Sequence, residues 1–173
     1  MISVAVYQIE YDADKQVSYV EAVEAIICSA CDSSELIKKG WRRRKLILLT
    51  GTLMIFMVRR VRCKNCGKIH HVLPNTIIPY KRYDAETIEK ITEGDPNETR
   101  CEESTINRIK AWWSKMRFYV LVIAASMTEG RKIQITTEPK LVQTVRALVN
   151  IHLWPGYATQ EPVLRWNRNK AGL

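Results

Sequence analysis

Four of the five cysteines fall in two Cys-x-x-Cys pairs, "CSAC" at Cys28 and Cys31 and "CKNC" at Cys63 and Cys66, with thirty-one residues between the pairs. Two intervening residues let a tight turn present both sulfurs on one side, and two such turns supply the corners of a tetrahedron about 2.3 Å from a metal. The spacing therefore points to one zinc ion held by four thiolates. Such a set closes the coordination sphere and leaves no position for an activated water, so the metal would be structural and would carry folding free energy. The competing readings are unligated core cysteines or a redox pair, and the latter needs a thioredoxin-like strand-to-helix setting that the sequence lacks. Cys101 has no partner at ligand spacing and reads as a core or surface thiol.

A second kind of chemistry is offered by His70 and His71 in "KIHHVLP", with Tyr80 and Tyr83 downstream in "PYKRY". A metal-dependent nicking nuclease with a tyrosine nucleophile needs two histidines on one face of a strand. Adjacent residues in a strand point to opposite faces. Phosphate contact or packing beside the second cysteine turn is the simpler role for these histidines, and "PYKRY" suits contact with a sugar-phosphate backbone. His152 stands isolated in the sequence.

The formal net charge is +9, and its distribution says more than its total. From Leu36 through Tyr83 there are thirteen Lys/Arg and no Asp or Glu, whereas the rest of the chain holds fourteen basic residues against all eighteen acids. Many clustered cations release many counterions from a phosphate backbone, so this segment is expected to contact nucleic acid. The candidate contacts are Arg42, Arg43, Arg44, Lys45, Arg59, Arg60, Arg62, Lys64, Lys68, Lys81 and Arg82.

The element that would carry them is a hairpin. "WRRRKLILLT" and "TLMIFMVRRVR" are rich in aliphatic, β-branched and basic residues around a Thr50-Gly51-Thr52 turn. Alternation along the two strands would put Arg42 and Arg44, and likewise Arg60 and Arg62, on the outward faces, so that each set projects on one side of the sheet. Two cysteine turns joined by a two-stranded sheet describe a zinc ribbon.

The order Cys-x-x-Cys, "KKGWRRRK", hairpin, "RRVRCKNCGKIHHVLP" and "PYKRY" resembles the N-terminal zinc-binding segment of bacterial insertion-sequence transposases and related mobile-element proteins. Arg59, Arg60, Arg62, Cys63 and Cys66 fill that pattern's strand into the second cysteine turn. The following "CEESTINRIKAWW" resembles the helix-turn-helix that comes next in such proteins, and the likeness spans Ile26 to Trp113. It implies a DNA-binding front end whose protein partner is a recombinase or transposase encoded elsewhere.

Downstream the chain reads as helical. Asp84 should cap a helix closed by Gly94, and "DPNETRC" should form a loop. Ser104 should cap a longer helix ending at Gly130, burying Ile106, Ile109, Trp113 and Met116. Its other face offers Thr105, Asn107, Arg108 and Lys110 to bases, Asn and Arg being the side chains that bind adenine and guanine bidentately. The linker from Gly94 to Glu103 is longer than the tight turn of a standard helix-turn-helix. From Phe118 to Met127 the helix is apolar on nearly every face, which suits burial or a homo-oligomer contact. A further helix is expected from Glu138 to Asn150. A basic tail follows, in which Trp166, flanked by Arg165 and Arg168, docks onto the core.

A transposase catalytic domain needs three carboxylates on a βαβ scaffold, yet the C-terminal stretch offers only Glu129, Glu138 and Glu161. The chain is therefore expected not to be an enzyme. The N-terminus lacks the basic region of a secretory signal, and the longest mainly apolar run, Leu46 to Val58, is too short to span a bilayer. With five cysteines and no such signal, a cytoplasmic protein is expected.

These readings combine into an α+β chain. Residues 1–83 would hold an N-terminal strand region and the four-cysteine zinc ribbon, residues 84–130 a helix-turn-helix-like region, and residues 131–173 a helix and basic tail. The expected function is zinc-dependent, non-catalytic binding of double-stranded DNA in a mobile element or phage, as a regulator or a recombinase recognition subunit. The alternative is a structural or adaptor subunit whose ribbon binds protein or RNA, with the nicking nuclease third.

Overall fold

The computed structural model describes residues 1–126 and 140–155. The expectations for Met127, Glu129, Gly130, Glu138, Glu161, Arg165, Trp166 and Arg168 lie outside the described residues. The fold is mixed α+β, a six-stranded sheet and three α-helices among the described residues. The strands are β1 (Ile2–Val4), β2 (Tyr7–Asp12), β3 (Val17–Ala22), β4 (Leu36–Ile47), β5 (Leu53–Cys63) and β6 (Ile69–Pro74). The helices are α1 (Ala85–Glu93), α2 (Glu103–Ser126) and α3 (Leu141–Asn150), with one 3-10 turn at Pro96–Glu98 between α1 and α2.

β4 and β5 form the long antiparallel hairpin that their composition implies, from Leu36↔Cys63 to Ile47↔Leu53. The turn closes through Gly51 N–H donating to Leu48 O at 2.8 Å and Leu48 N–H to Thr52 O at 2.9 Å. Gly51 has φ +83°, which favours glycine, and a Cβ there would sit 3.2 Å from Arg100 Cβ, so Arg100 would have to give slightly as well. A register shift between Lys38 and Trp41 marks a bulge, where Gly40 takes φ +88°.

The other edge of β5 is shared. β3 runs parallel along Phe56 to Val58, and β6 runs antiparallel along Arg60 to Arg62. β2 pairs with β3 and β1 runs parallel to β6, so all three N-terminal strands join the sheet through the edge of β5 that β4 leaves open. Two apolar clusters hold this arrangement: Val20, Leu46, Phe56, Val58, Leu73 and Ile77 in one, Ile2, Val4, Val61 and Val72 in the other. Each fully buried aliphatic side chain contributes about 1.5–3 kcal/mol.

The helices share a larger core built from Ile78, Ile88, Ile91, Trp113, Met116, Ile123, Leu141 and Leu148 among others. Asp84 caps α1 as expected, its carboxylate accepting from Thr87 N–H at 3.0 Å, and Gly94 follows the last turn. α2 departs from expectation at its start. The Glu102 carbonyl accepts the first helical hydrogen bonds, from Thr105 and Ile106, so Ser104 lies within the first turn and does not cap it. α3 returns to the N-terminus. Asn150 clamps β1 by accepting from Ser3 N–H at 2.7 Å and donating to Ser3 O at 3.0 Å, while Arg146 pairs with Glu24 at 3.1 Å. No helix among the described residues is long and apolar enough to cross a membrane.

Candidate metal centre and basic face

The two cysteine turns are built alike. In each, the N–H four residues after the first cysteine donates to that cysteine's carbonyl: Asp32 to Cys28 at 2.9 Å, Gly67 to Cys63 at 3.1 Å. Both donors sit in the left-handed region, Asp32 at φ 57° and Gly67 at φ 73°. The turns are also tied to each other, since Lys64 N–H donates to Glu35 O at 2.9 Å and Leu36 pairs with Cys63.

This brings the four sulfurs together. Cys28 and Cys66 Sγ are 3.6 Å apart, as are Cys31 and Cys63 Sγ, and all four lie within 4.8 Å of one another. A tetrahedron with 2.3 Å metal–sulfur bonds has edges of about 3.8 Å, so the set could hold one metal ion with little movement. Burial pushes the Cys28 thiol up to about 11, whereas the Cys66 N–H bonded to the Cys63 sulfur draws that thiol down to about 6. Cys101 lies apart, packed against the helical core.

The histidines diverge as strand alternation demands. His70 is buried with Nε2 3.2 Å from Cys28 Sγ and Nδ1 3.4 Å from the Ser29 hydroxyl. Burial first, then nearby cations, lowers its pKa to about 4, so the ring is neutral and can support a cysteine sulfur by hydrogen bonding. His71 pairs with Arg60 across β6 and β5 and faces the opposite side. The two histidines therefore do not converge on one site. His152 is not isolated in space: its ring centroid is 6.5 Å from that of His70, and its Nδ1 lies 3.5 Å from Ser29 Oγ.

The cations sort into three environments. Register and alternation put Arg42, Arg44, Arg60 and Arg62 on one face, with Lys64 and Lys68 exposed beside the second cysteine turn. Arg43, Lys45 and Arg59 take the other face. There Arg59 stacks on Trp41, with its guanidinium carbon 3.5 Å from the ring centroid, and ion-pairs with Glu21, which Lys38 also approaches at 3.5 Å. The acid-free run of the sequence thus meets one acid from β3 in space, and Arg59 is paired internally. Arg82 is exposed, but Lys81 lies 3.8 Å over the Trp112 ring, its pKa lowered to about 8 by burial and then by Arg108.

On α2, Asn107, Arg108 and Lys110 are exposed, but Thr105 is 7% exposed and accepts from Arg108 at 3.2 Å. Thr105 is therefore corrected from groove-facing to buried, because the apolar stripe also takes in Trp112 and rotates the buried face. Ile106, expected in the core, is only half-buried.

Arg59→Ala should cost about 1–3 kcal/mol through the lost stacking and charged hydrogen bond. A chemical melt would measure the loss.

Fold and site together define a mixed α+β protein with a four-cysteine cluster able to hold a metal. Residues 28–109, from the first cysteine pair into α2, match the family model described as a domain of unknown function, DUF6431. No curated protein matches the chain. No solved structure does either.

Proposed function

We propose that the four cysteines hold one structural zinc ion and that the chain binds double-stranded DNA without catalysing a reaction on it. The observation that carries this reading is the convergence of four Sγ atoms at the base of a hairpin whose one face bears Arg42, Arg44, Arg60 and Arg62. A tetrahedral four-sulfur set suits zinc or iron, and a redox-inert strut favours zinc. Cys28, Cys31, Cys63 and Cys66 would hold the ion, which supplies a cross-link between the two turns. The arginine face, with Lys64 and Lys68, supplies phosphate contacts; Asn107, Arg108 and Lys110 on α2 supply base contacts. The likeness to the front end of insertion-sequence transposases supports a mobile-element or phage setting, as regulator or recombinase recognition subunit.

Replacing Asn107 or Arg108 by Ala should change the preference between duplex sequences by about 1–3 kcal/mol. Competition binding measures it, and equal losses on every sequence would show that α2 does not read bases. An adaptor role has one observation in its favour, the exposed Phe118 and Leu121 on α2, which suit a protein partner or a second copy. Indifference to duplex together with tight protein capture would favour that reading.

A further inference from the structure

Between β4, β6 and the turn after α3 the surface sinks into a pocket of about 380 Å³, whose wall includes Arg42, Arg44, His71, Tyr80, His152 and Trp154. Its volume falls in the range of small-molecule sites, roughly 300–1,000 Å³. On β6, His71 faces the pocket and His70 faces Cys28, while His152 in the pocket wall reaches Ser29 beside the cysteine cluster.

Three features, the third following in part from the first, mark the pocket as suited to an anion. No acid among the described residues lines it, although two guanidiniums and two imidazoles do. The buried Nε–H of Arg44 has no acceptor among the described residues. Burial, then Arg44, Arg42 and Arg60, holds the His71 imidazole down to about 4, a penalty on added positive charge that an anion would relieve. The backbone adds a fourth sign: Tyr80 and His152 take φ 63° and 62°, a conformation that costs a non-glycine residue about 1–3 kcal/mol and concentrates at functional sites.

We propose that this pocket binds a nucleotide through its phosphomonoester, with the phosphate between Arg42 and Arg44 and the base against Trp154. A monoester carries close to two negative charges at neutral pH, matching two guanidiniums, whereas a strand's internal diester carries one. Arginine's planar fork suits phosphate oxygens, and the indole gives a base a flat stacking surface. The ligand is either a free nucleotide or the phosphorylated end of a strand. The strand-end source rests on the DNA-binding reading above; the pocket itself does not.

Calorimetry on the metal-loaded full chain tests this with two matched pairs, dAMP against deoxyadenosine and one oligonucleotide with a 5′-phosphoryl or a 5′-hydroxyl end. In at least one pair the phosphorylated member should bind about tenfold or more tightly and should shift the His71 imidazole resonances. Preference in the first pair alone identifies a free nucleotide, and preference in the second identifies a strand end. Arg44→Ala should abolish the preference, as should Arg42→Ala at its more exposed position, whereas Arg43→Ala on the opposite face should keep it. Equal binding within both pairs, or equal loss in all three variants, would overturn the pocket. Failure of duplex binding alongside a preserved dAMP preference would overturn the DNA reading and leave the pocket standing.

Discussion

Cys63→Ser should release the metal and melt both cysteine turns together with the adjoining ends of β4 and β5, while the helical core stays folded. Serine is nearly isosteric, so the loss at this buried position comes from a missing ligand and not from a cavity. Metal binding in closed four-ligand sites is worth on the order of 10 kcal/mol, far more than any single contact at the turns. The turns themselves rest on a handful of backbone hydrogen bonds, such as Cys63 N–H to Lys68 O at 2.9 Å, because they supply none of the buried members of the sheet's apolar clusters, one of which they meet only at the half-buried Leu36. The larger helical core draws its buried members from Ile78 onward and includes none of the four clustered cysteines. Amide hydrogen exchange should therefore find protection lost from Cys28 to Leu36 and Cys63 to His70, and retained in α1 and α2. Cys101→Ser serves as the contrast and should leave the metal bound. Full protection at both turns in the Cys63 variant would mean that the cluster does not depend on a metal.

The quadruple replacement of Arg42, Arg44, Arg60 and Arg62 by alanine should weaken binding to every duplex alike. Each phosphate neutralised adds about 0.9 to the slope of log affinity against log salt, so four lost contacts should flatten it by about 3 to 4. The shared face makes the four act as one surface, and the internally paired Arg59 makes a useful control on the opposite side. An unchanged slope would show that the arginine face does not touch the backbone, and sequence-dependent losses would show that it reads bases. Salt titration of affinity on two unrelated duplexes measures both.

The cysteine cluster and the hairpin were legible in the sequence because their information is local. A Cys-x-x-Cys turn specifies its own geometry, and strand alternation keeps Arg42 with Arg44 and Arg60 with Arg62; that the two pairs share one face follows from the β4–β5 register. What was not legible depends on pairings between distant segments. The parallel run of β3 along β5 brings Glu21 to Arg59 and Lys38, so a segment with no acid of its own acquires one from a strand with weak sequence markers. His152 carries no sequence signal for its position, which follows from α3 being clamped to β1 by Asn150. Thr105 illustrates a different limit. Helical periodicity located the apolar stripe of α2, but the consecutive tryptophans Trp112 and Trp113 widen it, and the buried face turns to include Thr105.

One ion bound by Cys28, Cys31, Cys63 and Cys66 is the central requirement, and metal analysis of purified, reduced protein tests it most directly. Intact-mass measurement under native conditions and elemental analysis should agree on one zinc per chain, released when the four thiols are titrated. A folded, reduced sample that contains no metal would show that the four cysteines hold no structural ion.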